Sequence, residues 1–127
     1  MENFKATVTD LVSESNTARS VGSGNLPVYA TPAMLALMEK AACEAVQSIL
    51  NEGETTVGTL LNVKHLAATP VGMNVSATAI LVERDGRKLT LNVSASDESG
   101  LIGEGTHERF IVLSDRFTEK AYSKLQR

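Results

Sequence analysis

Hydrophobic positions along the chain change their period once. Over residues 31–51 they recur helically: at about 100° per residue Met34, Leu35, Met38, Ala41, Ala42, Ala45, Val46 and Ile49 share one broad face, with Lys40, Glu44 and Gln47 opposite. Thr31 reads as the N-cap of this helix, Pro32 as its first helical residue, and Gly53 marks its end. After it the period drops to two. Segments 55–66, 73–83, 88–97 and 101–113 alternate, and in each the odd-numbered residues form the more apolar row. Asp85-Gly86 predicts a tight hairpin and Glu98-Ser99-Gly100 a second turn. Upstream, Phe4, Ala6, Val8, Leu11 and Val12 predict a strand over 3–13 with a slip in its alternation, followed by a loop over 21–27. A short charged helix is expected over 115–125.

One long helix and a meander of antiparallel strands cannot bury their apolar faces separately. The economical arrangement is an α+β hotdog fold, an antiparallel sheet wrapped around one long central helix with a short C-terminal helix, forming a single domain over 1–127. Such a sheet has an open edge, which pairing with a second copy would hide, so a homodimer or higher homo-oligomer is expected.

Composition narrows the partners. With 127 residues, 43% hydrophobic and 21% charged, the chain reads as a globular domain rather than a disordered or membrane one. A net charge of -3 gives no basic footprint for nucleic acid or an anionic membrane. No apolar run resembles a signal-peptide core or a membrane span, which predicts a cytoplasmic protein. The single cysteine, Cys43, and the separated His65 and His107 offer no tetrahedral ligand set, so neither a metal nor another cofactor is expected.

Candidate chemistry lies where polar side chains interrupt apolar rows. Glu39 falls at the margin of the buried helical face, close in angle to Val46 and Leu50. It reads either as a desolvated carboxylate tuned towards general-base or nucleophilic work, or as an edge glutamate reaching water past Cys43. His65 shares its odd-numbered row with Val57, Leu61 and Val63 and should face inward, as a proton carrier or as a packed core histidine. His107 and Arg109 share a face with Gly103, Gly105 and Ile111, and the paired glycines suggest close approach of the central helix or of a second subunit. Packing explains that face. Arg109 could instead meet a coenzyme phosphate or form an interface salt bridge.

Ala30-Thr31-Pro32 leading into Leu37-Met38-Glu39, Val57-Gly58-Thr59 followed by His65, Ala68-Thr69-Pro70-Val71-Gly72, and Gly105-Thr106-His107-Glu108-Arg109 together resemble the fluoroacetyl-CoA thioesterase-like branch of the hotdog superfamily. The likeness spans about residues 27–113. It implies hydrolysis of a small or medium acyl-CoA thioester to the free acid and coenzyme A, coenzyme A entering only as part of the substrate. It also implies that Thr31, Glu39 and His65 form the catalytic trio and that Gly58 lies at the thioester. Glu39 would be the nucleophile or the base for water. His65 would carry a proton to the departing thiol, and Thr31 would position the acyl group, relay a proton or form an acyl-enzyme.

Eight residues at about 1.5 Å each put Thr31 roughly 12 Å along the helix from Glu39. Either the chain bends back before the first turn, or the site combines two subunits, as hotdog dimers commonly do. Residues 21–29 should border the acyl pocket, and their Asn25-Leu26 offers no aromatic gate, which leaves the acyl group open. A hotdog hydratase would present an Asp and a His close together, a motif absent here. A non-catalytic acyl-CoA binding or sensing module would keep the pocket without needing Glu39 and His65.

Overall fold

The computed structural model describes residues 4–126. The chain runs β1 (Lys5–Leu11), a 3-10 turn, α1 (Ala18–Val21), α2 (Thr31–Val46) with a 3-10 extension at Gln47–Ile49, β2 (Glu54–His65), β3 (Asn74–Asp85), β4 (Lys88–Asp97), β5 (Gly100–Leu113) and α3 (Ser114–Tyr122). The strands form one antiparallel sheet in the order β1-β3-β4-β5-β2, with α2 lying on one face. This is the hotdog arrangement.

The core lies between α2 and the inner face. Met34, Met38, Ala41, Ala42, Ala45 and Val46 meet odd-numbered rows from β3 and β4, among them Val75, Ala77, Ala79, Leu81, Leu89, Leu91, Val93 and Ala95. Alanines on both sides let the helix and sheet approach closely, so small side chains still fill the layer. Glycines continue this on β5. A Cβ on Gly103 would come 2.6 Å from the Met34 sulfur, and one on Gly105 would strike the β2 backbone at Asn62. The expected close approaches are thus to the helix and to the neighbouring strand.

Several expectations need correction. The first strand has no slip: Ala6, Val8 and Asp10 form its half-buried row and Val12 continues it, while Leu11 is exposed. Asp10 sits in that row because it accepts a hydrogen bond from the buried Tyr29 hydroxyl at 2.9 Å, so a satisfied polar group looked like a break in the pattern. The helix cap is Ala30 rather than Thr31, which is already helical, and a short helix, α1, precedes it with Thr17 as its cap. Between Asp85 and Lys88 the two loop residues are Gly86 and Arg87, with Gly86 at φ +63° where a side chain would be strained.

The consequential correction lies in β2. Its pairing with β5 shifts between Gly58 and Leu60, so Thr59 is an extra residue in a bulge. Side-chain parity flips there. Thr56 and Gly58 pair with the inward Ile111 and Arg109, and beyond the bulge Leu61, Val63 and His65 pair with the inward His107, Gly105 and Gly103. Val57, expected on the inner row, therefore points outward beside Phe110. The bulge lets Gly58 and His65 face the same side although one is even and the other odd.

Of β2's two edges, one pairs with β5 and the other has no strand partner among the described residues. The exposed Leu60 lies along this strand. No described helix is long and apolar enough to cross a membrane.

Candidate active site

Two polar clusters form on the inner side of β2, at opposite ends of the strand. At its end, His65 Nδ1 lies 2.7 Å from the Thr31 hydroxyl. Because Ala30 caps α2, the Thr31 hydroxyl is free of capping duty and can turn to the histidine. His65 Nε2 is buried and, among the described residues, has no hydrogen-bond partner. Burial holds the imidazole below its ordinary proton affinity, outweighing the opposing effect of the Ala67 backbone. A neutral ring can accept the threonine proton.

This pair borders a cavity of about 310 Å³ whose lining includes Val28, Tyr29, Leu66 and Ala67. Of residues 21–29, Ser23, Val28 and Tyr29 line this cavity. The wall is tied down locally: Tyr29 N–H donates to the Thr69 carbonyl at 2.9 Å, and the buried Thr69 hydroxyl donates to Asp97 at 2.7 Å. Leu66 and Ala67 N–H both reach the Ile102 carbonyl.

The second cluster surrounds Gly58. Arg109 is 5% exposed and donates from Nε to the Thr56 hydroxyl at 2.8 Å, from Nη2 to the Thr56 carbonyl at 3.0 Å and from Nη1 to Glu39 Oε2 at 3.4 Å. Arg109 Nη1 also lies 3.1 Å from His107 Nε2. A guanidinium only donates, so Nε2 must accept, and Nδ1 then donates to the Leu60 carbonyl at 2.8 Å. His107 is a fully buried neutral ring. Burial holds its proton affinity down, the Leu60 carbonyl opposes this, and the Arg109 charge adds to the lowering.

The coenzyme-phosphate contact expected of Arg109 is corrected by this geometry. Its donors are engaged inside the protomer, and it stands beside Gly58 and Glu39 instead. Glu39 itself is less enclosed than its helical position suggested, with its side chain 41% exposed. One of its carboxylate oxygens lies against Gly58 and Arg109, and the rest of the side chain is open to solvent.

Gly58 is what allows this cluster to close. A Cβ there would sit 2.5 Å from Glu39 Oε2, 3.2 Å from Arg109 Nη1 and 3.3 Å from His107 Cε1. Gly58→Ala is therefore expected to push the carboxylate away, lowering turnover of any reaction that uses it at least about tenfold, a change of some 1.4 kcal/mol, with little change in thermal midpoint. Parallel kinetics and melting curves check this, and full activity would show that Glu39 is not held for chemistry.

Thr31 and His65 are together, but Glu39 does not join them within one chain. Thr31 is roughly 12 Å along α2 from Glu39, and the seven residues from Gly58 to His65 extend about 20 Å along β2. The helix starts at Thr31 without doubling back. Alternation alone does not reveal Thr56, because the bulge hides its inward parity; for His107, which the sequence assigns to packing, the signal is its spacing of two from Arg109 on one face.

The two histidines also set a pH dependence of folding. Their folded proton affinities lie below the ordinary value. The unfolded chain then binds protons below about pH 6.5 that the folded chain refuses, so stability is present above that pH and lost as pH falls through and below it. The thermal midpoint should drop between about pH 7.5 and 5.5; a rise on acidification would contradict this.

Comparison with known proteins gives a consistent result. The model of the family described as fluoroacetyl-CoA-specific thioesterase matches residues 12–115. The chain is 43% identical over 97 residues to a fluoroacetyl-CoA thioesterase from Streptantibioticus cattleyicolor, covering 76% of this chain and 70% of that protein. Its fold is similar to a solved structure of the fluoroacetyl-CoA thioesterase FlK, with a TM-score of 0.88, 37% identity and coverage of 94% and 93% of the two chains. A Thermus thermophilus hypothetical protein, a thioesterase superfamily member, has a TM-score of 0.88 at 31% identity, with 99% and 93% covered.

Proposed function

Because the chain belongs to the fluoroacetyl-CoA-specific thioesterase family and is an acyl-CoA thioester hydrolase, we propose that it cleaves a small acyl-CoA at a site shared between two copies of itself. Thr31 and His65 come from one protomer and Glu39 from its partner. The observation that carries this reading is the 2.7 Å contact between Thr31 Oγ1 and His65 Nδ1, which pairs a hydroxyl nucleophile with a base.

The unpaired edge of β2 supplies the route to a shared site. Two such edges pairing antiparallel about Leu61 and Asn62 would set Gly58 opposite the partner's His65, because those residues lie equally far from the centre. Pairing would also cover Glu39, whose side chain is 41% exposed in the lone protomer. Gly58, Arg109 and Glu39 of one subunit would then meet Thr31 and His65 of the other.

In the proposed reaction His65 takes the Thr31 proton as the oxygen attacks the thioester carbonyl. The carbon–sulfur bond breaks, and the imidazolium returns that proton to the departing thiolate, leaving an acyl ester on Thr31. Glu39 then removes a proton from water as its oxygen attacks the ester; the acyl bond to the Thr31 oxygen breaks, and the protonated Glu39 returns that proton to the Thr31 oxygen, releasing the acid and restoring both the hydroxyl and the carboxylate. The reaction needs no metal or cofactor beyond the coenzyme A of the substrate, since nucleophile and proton carriers are side chains. We assign it to the cytoplasm, where the single Cys43 stays reduced. No nucleic acid or membrane takes part.

Glu39→Gln separates this reading from one in which Glu39 attacks directly. Incubated with a panel of small acyl-CoAs, the variant should release one thiol per intact Thr31–His65 pair in a burst and then stall, and intact mass should rise by one acyl group located at Thr31. Absence of both burst and adduct would transfer the nucleophile's role to Glu39. The cavity volume and the relatives that act on fluoroacetyl-CoA support a short acyl group.

A further inference from the structure

The chain carries a net charge of -3, yet the charged residues lining one surface cleft are all cations, set beside two aromatic rings. It lies between α3 and the outer side of β5, encloses about 290 Å³, and is lined by Phe110, Phe117, Arg87, Arg116 and Lys120 together with neighbouring β5 residues. Among the described residues no carboxylate lines it. Among the described residues none of Arg87, Arg116 and Lys120 has a carboxylate within ion-pair distance, whereas Lys88 beside them is paired with Glu108 at 3.6 Å.

The local sequence builds this polarity. Arg116 and Lys120 are four apart on α3 and so share a side, and the acidic Asp115 and Glu119 fall off the cleft. Arg87 comes from the β3–β4 turn, fixed where its carbonyl accepts from Ile111 N–H at 2.8 Å. Phe110 and Phe117 are 41% and 47% exposed, large rings left uncovered beside three unpaired cations.

We propose that this cleft receives the nucleotide end of the coenzyme A thioester, its diphosphate and 3′-phosphate meeting Arg87, Arg116 and Lys120 and its adenine lying against Phe110 and Phe117. The inference rests on the acyl-CoA reading above. Guanidinium groups suit phosphate oxygens, and an exposed ring offers a purine a stacking surface. The position fits as well. Phe110 pairs with Val57, next to the Gly58–Arg109 pair. From the cleft, the pantetheine arm has only to pass around the Glu54 end of β2, about 13 Å of strand from Gly58.

The test titrates coenzyme A, adenosine 3′,5′-bisphosphate and inorganic diphosphate calorimetrically into native protein, the Arg116→Glu/Lys120→Glu double variant and Phe117→Ala. The proposal expects both variants to bind coenzyme A and the bisphosphate more weakly, the double variant by about tenfold or more. It also expects the double variant's KM to rise for acyl-CoA, with kcat kept, and no change for the matching N-acetylcysteamine thioester, which lacks the nucleotide. Equal coenzyme A affinity in native and double variant, or diphosphate bound as tightly as the bisphosphate, would overturn it. If native protein hydrolyses neither thioester, the hydrolytic reading fails, while the titration still decides the cleft. Retained circular dichroism verifies that these surface variants fold.

Discussion

His65→Ala is expected to lower kcat for acyl-CoA hydrolysis by about a hundred- to ten-thousandfold, the usual contribution of a positioned general base. The ring is the group within hydrogen-bond distance of the Thr31 hydroxyl, so its removal leaves a neutral alcohol facing the thioester. Two features argue that the loss is chemical rather than structural. Among the described residues His65 Nε2 has no well-formed hydrogen bond, only the weaker influence of the Ala67 backbone, and the side chain borders a cavity. The thermal midpoint should therefore stay within a few degrees of the native value. A variant that melts early and recovers activity at low temperature would assign His65 to the scaffold.

The second large effect is on stability. Gly105→Ala should cost about 3 kcal/mol, roughly 10 °C in Tm for a chain of this size. The added methyl would overlap the Asn62 carbonyl and come within 2.7 Å of Val63 Cα. Both are backbone atoms of β2, which cannot retreat without opening its ladder with β5 and shifting His65 along with it. Gly103→Ala is the control. There the methyl meets mainly the Met34 sulfur and its methyl group, the far end of a flexible side chain, with one backbone contact at 3.0 Å. It should be the milder of the two, and the order of the two melting temperatures checks the account.

These contrasts show what was legible in the sequence. The alternation of Val75, Ala77, Ala79 and Leu81 and of Leu89, Leu91, Val93 and Ala95 predicts the inner face correctly, because the register shifts of these strands fall just after Leu81 and just after Ala95. The apolar helical stripe likewise puts Glu39 at the margin of the buried face, where its side chain is 41% exposed. What could not be read was the bulge at Thr59, since one extra residue leaves no compositional mark yet reverses parity for Thr56, Val57 and Gly58. Nor does periodicity reveal that Asp10 is satisfied by Tyr29, or that Thr56 absorbs Arg109's donors. Both depend on residues distant in sequence meeting across the sheet. The same limit applies to the site: sequence placed Thr31, Glu39 and His65 on suitable elements, but only three-dimensional placement pairs Thr31 with His65 and Glu39 with Arg109.

Mixing two inactive variants tests the shared site most directly. His65→Ala and Glu39→Gln protomers, unfolded together and refolded at equal amounts, should regain about a quarter of native turnover: half the dimers are mixed, and each mixed dimer rebuilds one intact site of two, combining His65 of one chain with Glu39 of the other. Should the mixture stay as inactive as its components although mixed dimers are demonstrated by mass, the catalytic groups would have to act within one chain, and the site proposed across the β2 edge would be wrong.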